Sequence, residues 1–286
     1  MRIANVSGRL TLVSEEGGID VETASAGRFG PDPQAVYEQW QAFREWAESV
    51  LSHDAAPIDD AVPIDNNVLG APAPRPAQVF AIGLNYRDHA AEAGLDVPAS
   101  PATFTKFPTC LTGPFADVVL PSEYADWEVE LVAVIGIRAY RVGASRGWDH
   151  VAGVTVGQDL SERVVQMASG GQFSLGKSFP GFGPTGPWLV TPDELADPDD
   201  LELGCRVDGH EVQKSRTSQL VFGVPELIAR LSAVLPLLPG DLIFTGTPAG
   251  IGATRQPPQF LRPGQILSSH IEGVGAMANR LIAAPT

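Results

Sequence analysis

The segment Asp126-Trp127-Glu128-Val129-Glu130 sets three carboxylates at alternate positions and runs on into Leu131-Val132-Ala133-Val134-Ile135. Side chains alternate across a strand, so Asp126, Glu128 and Glu130 share one face while Trp127, Val129 and Leu131 share the other. The apolar continuation predicts burial on both faces. Carboxylates crowded on a buried strand repel one another and resist desolvation, so something positive must offset them. Two readings fit. One is a hard divalent cation such as Mg²⁺ or Mn²⁺, which accepts two or three carboxylates; the other is a solvated edge where the strand enters its sheet. Asp159 follows the apolar run Val151-Ala-Gly-Val-Thr-Val-Gly and is either a third carboxylate at a strand end or the N-cap of a helix from Ser161 onward.

A second constellation lies at Asn85-Tyr86-Arg87-Asp88-His89-Ala90-Ala91-Glu92-Ala93-Gly94. It predicts a short helix capped by Asn85 and stopped by Gly94. His89 and Glu92, three apart, share a face. A carboxylate beside an imidazole orients it and raises its basicity, as water activation requires; the same spacing also makes ordinary surface contacts. Farther on, Asp241-Leu-Ile-Phe-Thr245-Gly-Thr-Pro-Ala-Gly-Ile-Gly252 is a strand running into glycines. No Gly-Lys-Ser/Thr follows, and Pro248, Pro257 and Pro258 oppose a helix there, which excludes a phosphate loop and a dinucleotide fingerprint. A backbone cradle for a carboxylate and a structural turn both fit.

The elements that must position these groups read as mostly β with short helices (α+β). Strands are expected at Arg2 to Asn5, Leu10 to Ser14, Val79 to Ile82, Glu128 to Ile135, Val151 to Val156, Trp188 to Thr191, Leu201 to Val207, Leu242 to Thr245 and Ile266 to Ile271. A helix is expected with Asp32 as N-cap and Pro33 at its first position, burying a stripe of Val36, Trp40, Phe43, Trp46 and Val50. Another helix is expected over Val224 to Val234. The stretch from Pro57 to Pro76, ending in Ala-Pro-Ala-Pro-Arg-Pro, can be neither helix nor interior strand. It divides a small N-terminal α/β domain, residues 1–70, from a β-rich domain, residues 71–286.

The whole chain has 286 residues, 44% of them hydrophobic, enough for a sizeable core. Its formal charge of -15 argues against nucleic acid or anionic membrane partners, and any anionic substrate needs a local positive centre. Cys110 and Cys205 match no zinc or redox spacing and read as reduced thiols. Met1 to Glu15 lacks the apolar core of a signal peptide, and no apolar run approaches the roughly 20 residues of a membrane span, so the cytoplasm is the expected location.

Asn-Tyr-x-x-His-x-x-Glu, Asp-x-Glu-x-Glu-Leu, Gln158-Asp159-Leu-Ser161-Glu-Arg163, Gly176-Lys177-Ser178-Phe179 and Gly246-Thr247-Pro248-Ala249-Gly250 occur in the order found in the fumarylacetoacetate hydrolase family, and over roughly residues 77–281 the chain resembles that family. The resemblance implies a β-rich fold of its own, a Mg²⁺ or Mn²⁺ site and a homodimer. It implies Glu128, Glu130 and Asp159 as metal ligands, with Asp126 as a structural neighbour. His89 and Glu92 become the dyad that activates water or shuttles a proton, on a segment that orders with substrate in relatives. Lys177 becomes the cation that stabilises enolate charge, and Arg163, Gln166 and Thr247 become contacts to a small oxo-acid. The activity implied first is C–C hydrolysis of a 2-oxo or 2,4-dioxo acid of the acylpyruvate or fumarylacetoacetate kind. Decarboxylation of oxaloacetate-like acids and isomerisation or hydration of 2-hydroxydienoates are the alternatives, and a non-catalytic binding relative is a third. Two departures bear on substrate choice: Gln158 where many relatives have Asn, and Pro180-Gly181 where they often have Asp-Thr.

Overall fold

The computed structural model describes residues 1–51, 61–92, 94, 96–168 and 170–285. The strands that matter for the site are β1 (Arg2–Val6), β2 (Arg9–Val13), β3 (Gly18–Asp20), β4 (Val79–Gly83), β5 (Ala102–Thr105), β6 (Val118–Leu120), β7 (Ala125–Asp126), β8 (Val129–Ile135) and β9 (Val151–Gln158). They are followed by β10 (Ser161–Glu162), β11 (Gly183–Val190), β12 (Glu202–Val207), β13 (His210–Arg216), β14 (Leu242–Phe244), β15 (Ile266–Ile271) and β16 (Gly275–Ala283). Among the described residues five α-helices accompany them: α1 (Val21–Ala24), α2 (Trp40–Leu51), α3 (Arg87–Glu92), α4 (Arg163–Ala168) and α5 (Val224–Ser232).

The apolar run of β8 explains the architecture. Every residue of β8 is buried, because the strand lies inside a sheet ordered β3-β2-β1-β11-β9-β8-β14-β4-β5, with the short strands Leu69–Gly70 and Leu111–Thr112 attached to β1 and β11. Its neighbours β9 and β14 are both antiparallel to it, and β14 is parallel to β4. Alternation then sends its side chains into two cores. Val129, Leu131, Ala133 and Ile135 join Leu203, Leu267, Met277, Leu281 and the α5 residues Leu227 and Ile228. Val132 and Val134 join Ile3, Leu10, Leu12, Trp40 and Phe43 under α2. A second sheet, β13-β12-β15-β16-β6, closes over the first core.

Residues 1–70 add β1, β2 and β3 to the same large sheet, through Arg2 opposite Val190 and Ile3 opposite Leu189. Residues 57–60 of the proline-rich connection lie outside the described residues. The helix expected from Pro33 begins later. Asp32 accepts from Gln34 N at 2.9 Å, a tight 3₁₀ turn spans Ala35–Gln39, and α-helix starts at Trp40. The 3₁₀ turn carries Val36 and Tyr37 inward, where Tyr37 Oη donates to Pro72 O at 3.2 Å. Trp40 and Phe43 of the stripe are buried, and Trp46 and Val50 pack against them half-buried. Both cysteines are buried and unpaired. Among the described residues no helix is long and apolar enough to cross a membrane.

Candidate metal centre and active site

The carboxylate segment is split at Trp127 and Glu128, between β7 and β8, and this break aims the acids. Glu128 N donates to Gln158 Oε1 at 2.9 Å, and Glu128 O accepts from Asp159 N at 2.9 Å. The β9 end is thereby laced to the start of β8, with Gln158 Nε2 anchored on Ser269 Oγ at 2.9 Å. The amide that departs from many relatives thus braces the Glu128 backbone. The result is that carboxylate oxygens of Glu128, Glu130 and Asp159, all buried, lie within 4.8 Å of one another. The N-cap reading of Asp159 does not hold, because its carboxylate is taken by Lys106 and Lys177. Glu162 performs the capping instead, accepting from Val165 N at 2.6 Å at the start of α4. The solvated-edge reading of the strand fails as well, since Asp126, Glu128 and Glu130 are all buried.

Asp126 stands outside the cluster as an anchor. Its Oδ1 accepts from Trp127 N and Gly252 N, both at 2.8 Å. Its Oδ2 accepts from Ala253 N at 2.9 Å and from Arg163 Nε and Nη2 at 2.9 and 2.6 Å. Arg163 is so held that Nη1 reaches Glu128 Oε1 at 2.8 Å and Gln166 Oε1 at 2.9 Å.

Two ammonium groups complete the centre. Lys177 Nζ donates to Glu128 Oε2 and Asp159 Oδ2, each at 2.7 Å, and lies 5.3 Å from the Phe104 ring centroid. Lys106, which sequence reasoning passed over, is fully buried and donates to Asp159 Oδ1 at 2.7 Å. A signal was present: the chain has only three lysines, 106, 177 and 214, and one of them ends the apolar-alternating Ala-Thr-Phe-Thr-Lys.

These charges sort the acids. Burial opposes the Glu128 charge, but the Lys177 ammonium and the Arg163 guanidinium outweigh it and hold that carboxyl at about 2. At Glu130 the balance reverses: burial, then the charges of Asp159 and Glu128, outweigh Lys177 and the Gly246 amide and push it well above the ordinary carboxylate range. Burial alone would lower the Lys177 pKa, yet Asp159 and Glu128 raise it, so the ammonium stays charged. Three convergent hard oxygen donors, one of them strained by like charge, fit a hard divalent cation with bonds of about 2.1 Å.

The glycine-rich loop is a cradle, and the carboxylates it holds are the protein's own. Gly246 N donates to Glu130 Oε2 at 2.8 Å, Gly250 N to both Glu92 oxygens at 3.1 and 3.2 Å, and Gly252 N to Asp126. Gly246 has φ +104°, and a Cβ there would come within 2.7 Å of Asn85 Cβ, so only glycine lets the loop approach. His89 Nδ1 lies 3.2 Å from Glu92 Oε2; the imidazole is buried, and Glu92 reaches it from the exposed side. Asn85 does not cap α3. Its amide bridges elements instead, donating to Phe222 O and Thr245 O and accepting from Phe222 N, which the spacing along the helix could not reveal. Gly94 does end the helix, at φ +65°.

Gln166 reaches the centre through Arg163. The Thr247 hydroxyl donates to Val129 O at 3.0 Å and accepts from Gln213 Nε2 at 2.8 Å, which commits its proton to the protein. Gln213, on β13, also accepts from Val129 N at 3.0 Å. Nothing in its sequence surroundings marks it, because its partners arrive from other strands.

The profile of the fumarylacetoacetate (FAA) hydrolase C-terminal family matches residues 78–282. Over 272 residues the chain is 40% identical to the Rattus norvegicus mitochondrial oxaloacetate tautomerase Fahd2a, covering 94% of this chain and 87% of that protein. The crystal structure of a presumed HpcE protein from Mycobacterium smegmatis superposes with a TM-score of 0.92 at 53% identity, covering all of both chains. Maleylpyruvate hydrolase from Sphingobium, solved with manganese(II) and pyruvate, gives 0.80 at 28% identity, again over all of both chains. With the profile spanning most of its length and the acidic triad in place, the chain belongs to the fumarylacetoacetate hydrolase family.

Proposed function

We propose that this enzyme interconverts the keto and enol forms of a small 2-oxo acid of the oxaloacetate type, at a centre where Glu128, Glu130 and Asp159 hold Mg²⁺ or Mn²⁺. The observation that carries the reading is the Lys177 ammonium, fixed at 2.7 Å from both Glu128 and Asp159 inside the buried centre. An acid that loses a proton beside its carbonyl becomes an enolate, and a preorganised cation in a water-poor site stabilises that charge. A divalent ion, when bound, supplies polarisation of the carbonyl. Arg163 adds a further positive group, which gives this acidic chain the local attraction an anionic substrate needs. Glu92 accepts from His89 Nδ1, leaving Nε2 to take a proton from carbon and return it to oxygen, or the reverse. The Gly250 amide keeps Glu92 aimed during both steps. The similarity to the rat tautomerase over nearly the whole chain supports this choice.

A second reading, C–C hydrolysis of an acylpyruvate, draws support from the same dyad, which is also fit to activate water, and from the similarity to the hydrolase solved with pyruvate. The test runs both reactions side by side: ultraviolet decay of enol-oxaloacetate and cleavage of an acylpyruvate, each with Mn²⁺ or Mg²⁺ and with a chelated control. Metal-dependent loss of the enol without cleavage supports tautomerisation, cleavage supports hydrolysis, and no metal-dependent turnover of either defeats both. His89→Ala should lower turnover on the order of 10²- to 10⁴-fold with metal content unchanged. Exposed Val164, Met167 and Leu175, on and just after α4, support a homodimer; light scattering at 30.2 kDa would overturn that. The cytoplasm remains the proposed location, to be checked by fractionation.

A further inference from the structure

Lys106 leaves the end of β5 with its backbone N donating to Val79 O at 3.2 Å, and its side chain turns inward to full burial beside the Phe244 ring, 5.7 Å away. Its ammonium carries three protons and meets three acceptors: Asp159 Oδ1 at 2.7 Å, Phe182 O at 3.1 Å and the carbonyl of Lys177. The next residue repeats the tie, with Phe107 N donating to Ser178 Oγ at 2.9 Å. The two lysines therefore divide Asp159 between them, Lys106 on Oδ1 and Lys177 on Oδ2. Lys106 has no proton left for a substrate and no opening to reach one.

We propose that Lys106 is a positioning residue that fills Asp159 Oδ1, so that this carboxylate meets a cation through a single oxygen, and that fixes Lys177 by holding its carbonyl. Resting on the metal reading above, the assignment adds to the three ligands a residue that sets how one of them binds and where the catalytic ammonium sits. Groups that orient a ligand typically contribute 10- to 100-fold to metal affinity. The alternative role, a bare counter-charge for a crowded acidic cluster, predicts the opposite sign. Removing a mere counter-charge leaves the centre more negative, and a cation would then bind more tightly.

The experiment is calorimetric titration of Mn²⁺ into the wild-type chain, Lys106→Met and Lys106→Gln, together with turnover at saturating Mn²⁺. Lys106→Met should bind Mn²⁺ about 10- to 100-fold more weakly and turn over more slowly even when saturated, because Lys177 is released as well. Lys106→Gln, which keeps a donor without the charge, should recover part of the affinity. Unchanged or tighter binding by Lys106→Met overturns the proposal while leaving the metal reading intact, whereas a wild-type chain that takes no Mn²⁺ overturns both. Should Lys106→Met not fold, two results decide. A crystal structure of the Mn²⁺-loaded wild type should show Asp159 bonded through one oxygen with Lys106 on the other; a bidentate Asp159, or Lys106→Gln with wild-type affinity, rejects the assignment.

Discussion

Asp159 and Asp20 each sit 2.7 Å from a basic nitrogen, Lys106 Nζ and Arg9 Nε respectively. The side chains of the first pair are 0% and 1% exposed, and those of the second 45% and 31%. Asp159 and Lys106 are shut away from bulk solvent, so each charge depends on the others and the geometry is dictated. On the β2–β3 surface water competes with Arg9, and the pair adds little to stability. The N-terminal region is held instead by apolar contact: the rings of Phe29, Phe43 and Trp46 pack at centroid separations of 5.3 to 5.7 Å. The two regions share one sheet yet rest on different physics, electrostatic compensation at the site and close packing beneath α2.

The largest effect expected from that contrast is at Asp159. Asp159→Ala strands two buried ammonium groups and should cost about 3–5 kcal/mol of stability, with Mn²⁺ binding lost. Urea unfolding and calorimetric titration check both, and a loss below about 1 kcal/mol would mean that the centre is more hydrated than its burial indicates. Phe43→Ala should cost a comparable 3–5 kcal/mol through the cavity it leaves, but with the Mn²⁺ affinity of the folded protein unchanged. A parallel fall in affinity would show that the two regions are not energetically separate. Thr247→Val lies between them in kind. It leaves Gln213 Nε2 and Val129 O short of a partner and should cost about 1–3 kcal/mol in thermal unfolding. Wild-type stability in that variant would argue that a water enters the gap.

The smallest effect belongs to Asp20→Asn, which keeps the cap on Thr23 N but discards the ion pair. Its change in melting temperature should be smaller than the other three and should vanish in about 1 M salt, where charges are screened within roughly 3 Å. The pH sign is also set. The Arg9 hydrogen bond is the main influence holding Asp20 at about 2, below its ordinary 3.8. Whatever stability it adds is therefore present above 3.8 and is lost as pH falls toward 2. A difference between the wild type and Asp20→Asn that grows on acidification would reverse this assignment.

Local periodicity made much of the fold readable. Strand alternation placed Glu128 and Glu130 on one face and predicted the two-sided burial of β8, because both follow from a repeat of two that needs no knowledge of neighbours. The same logic, joined to motif order, marked Asp159, His89, Glu92 and Lys177. It misjudged Asn85 and the start of the first long helix, where propensity pointed to caps and tertiary contacts used the residues otherwise.

What the chain order determines by itself is which residues share a strand face or a helix face. Tertiary structure alone decided who meets whom across the sheet. Lys106 finds its partners 53, 71 and 76 positions away, at Asp159, Lys177 and Phe182, and the glycine-rich loop turns its amides onto acids 116 to 158 positions distant. Those pairings arise from strand register and burial, since a buried charge must find its counter-charge wherever the sheet delivers one, and no local pattern encodes that meeting.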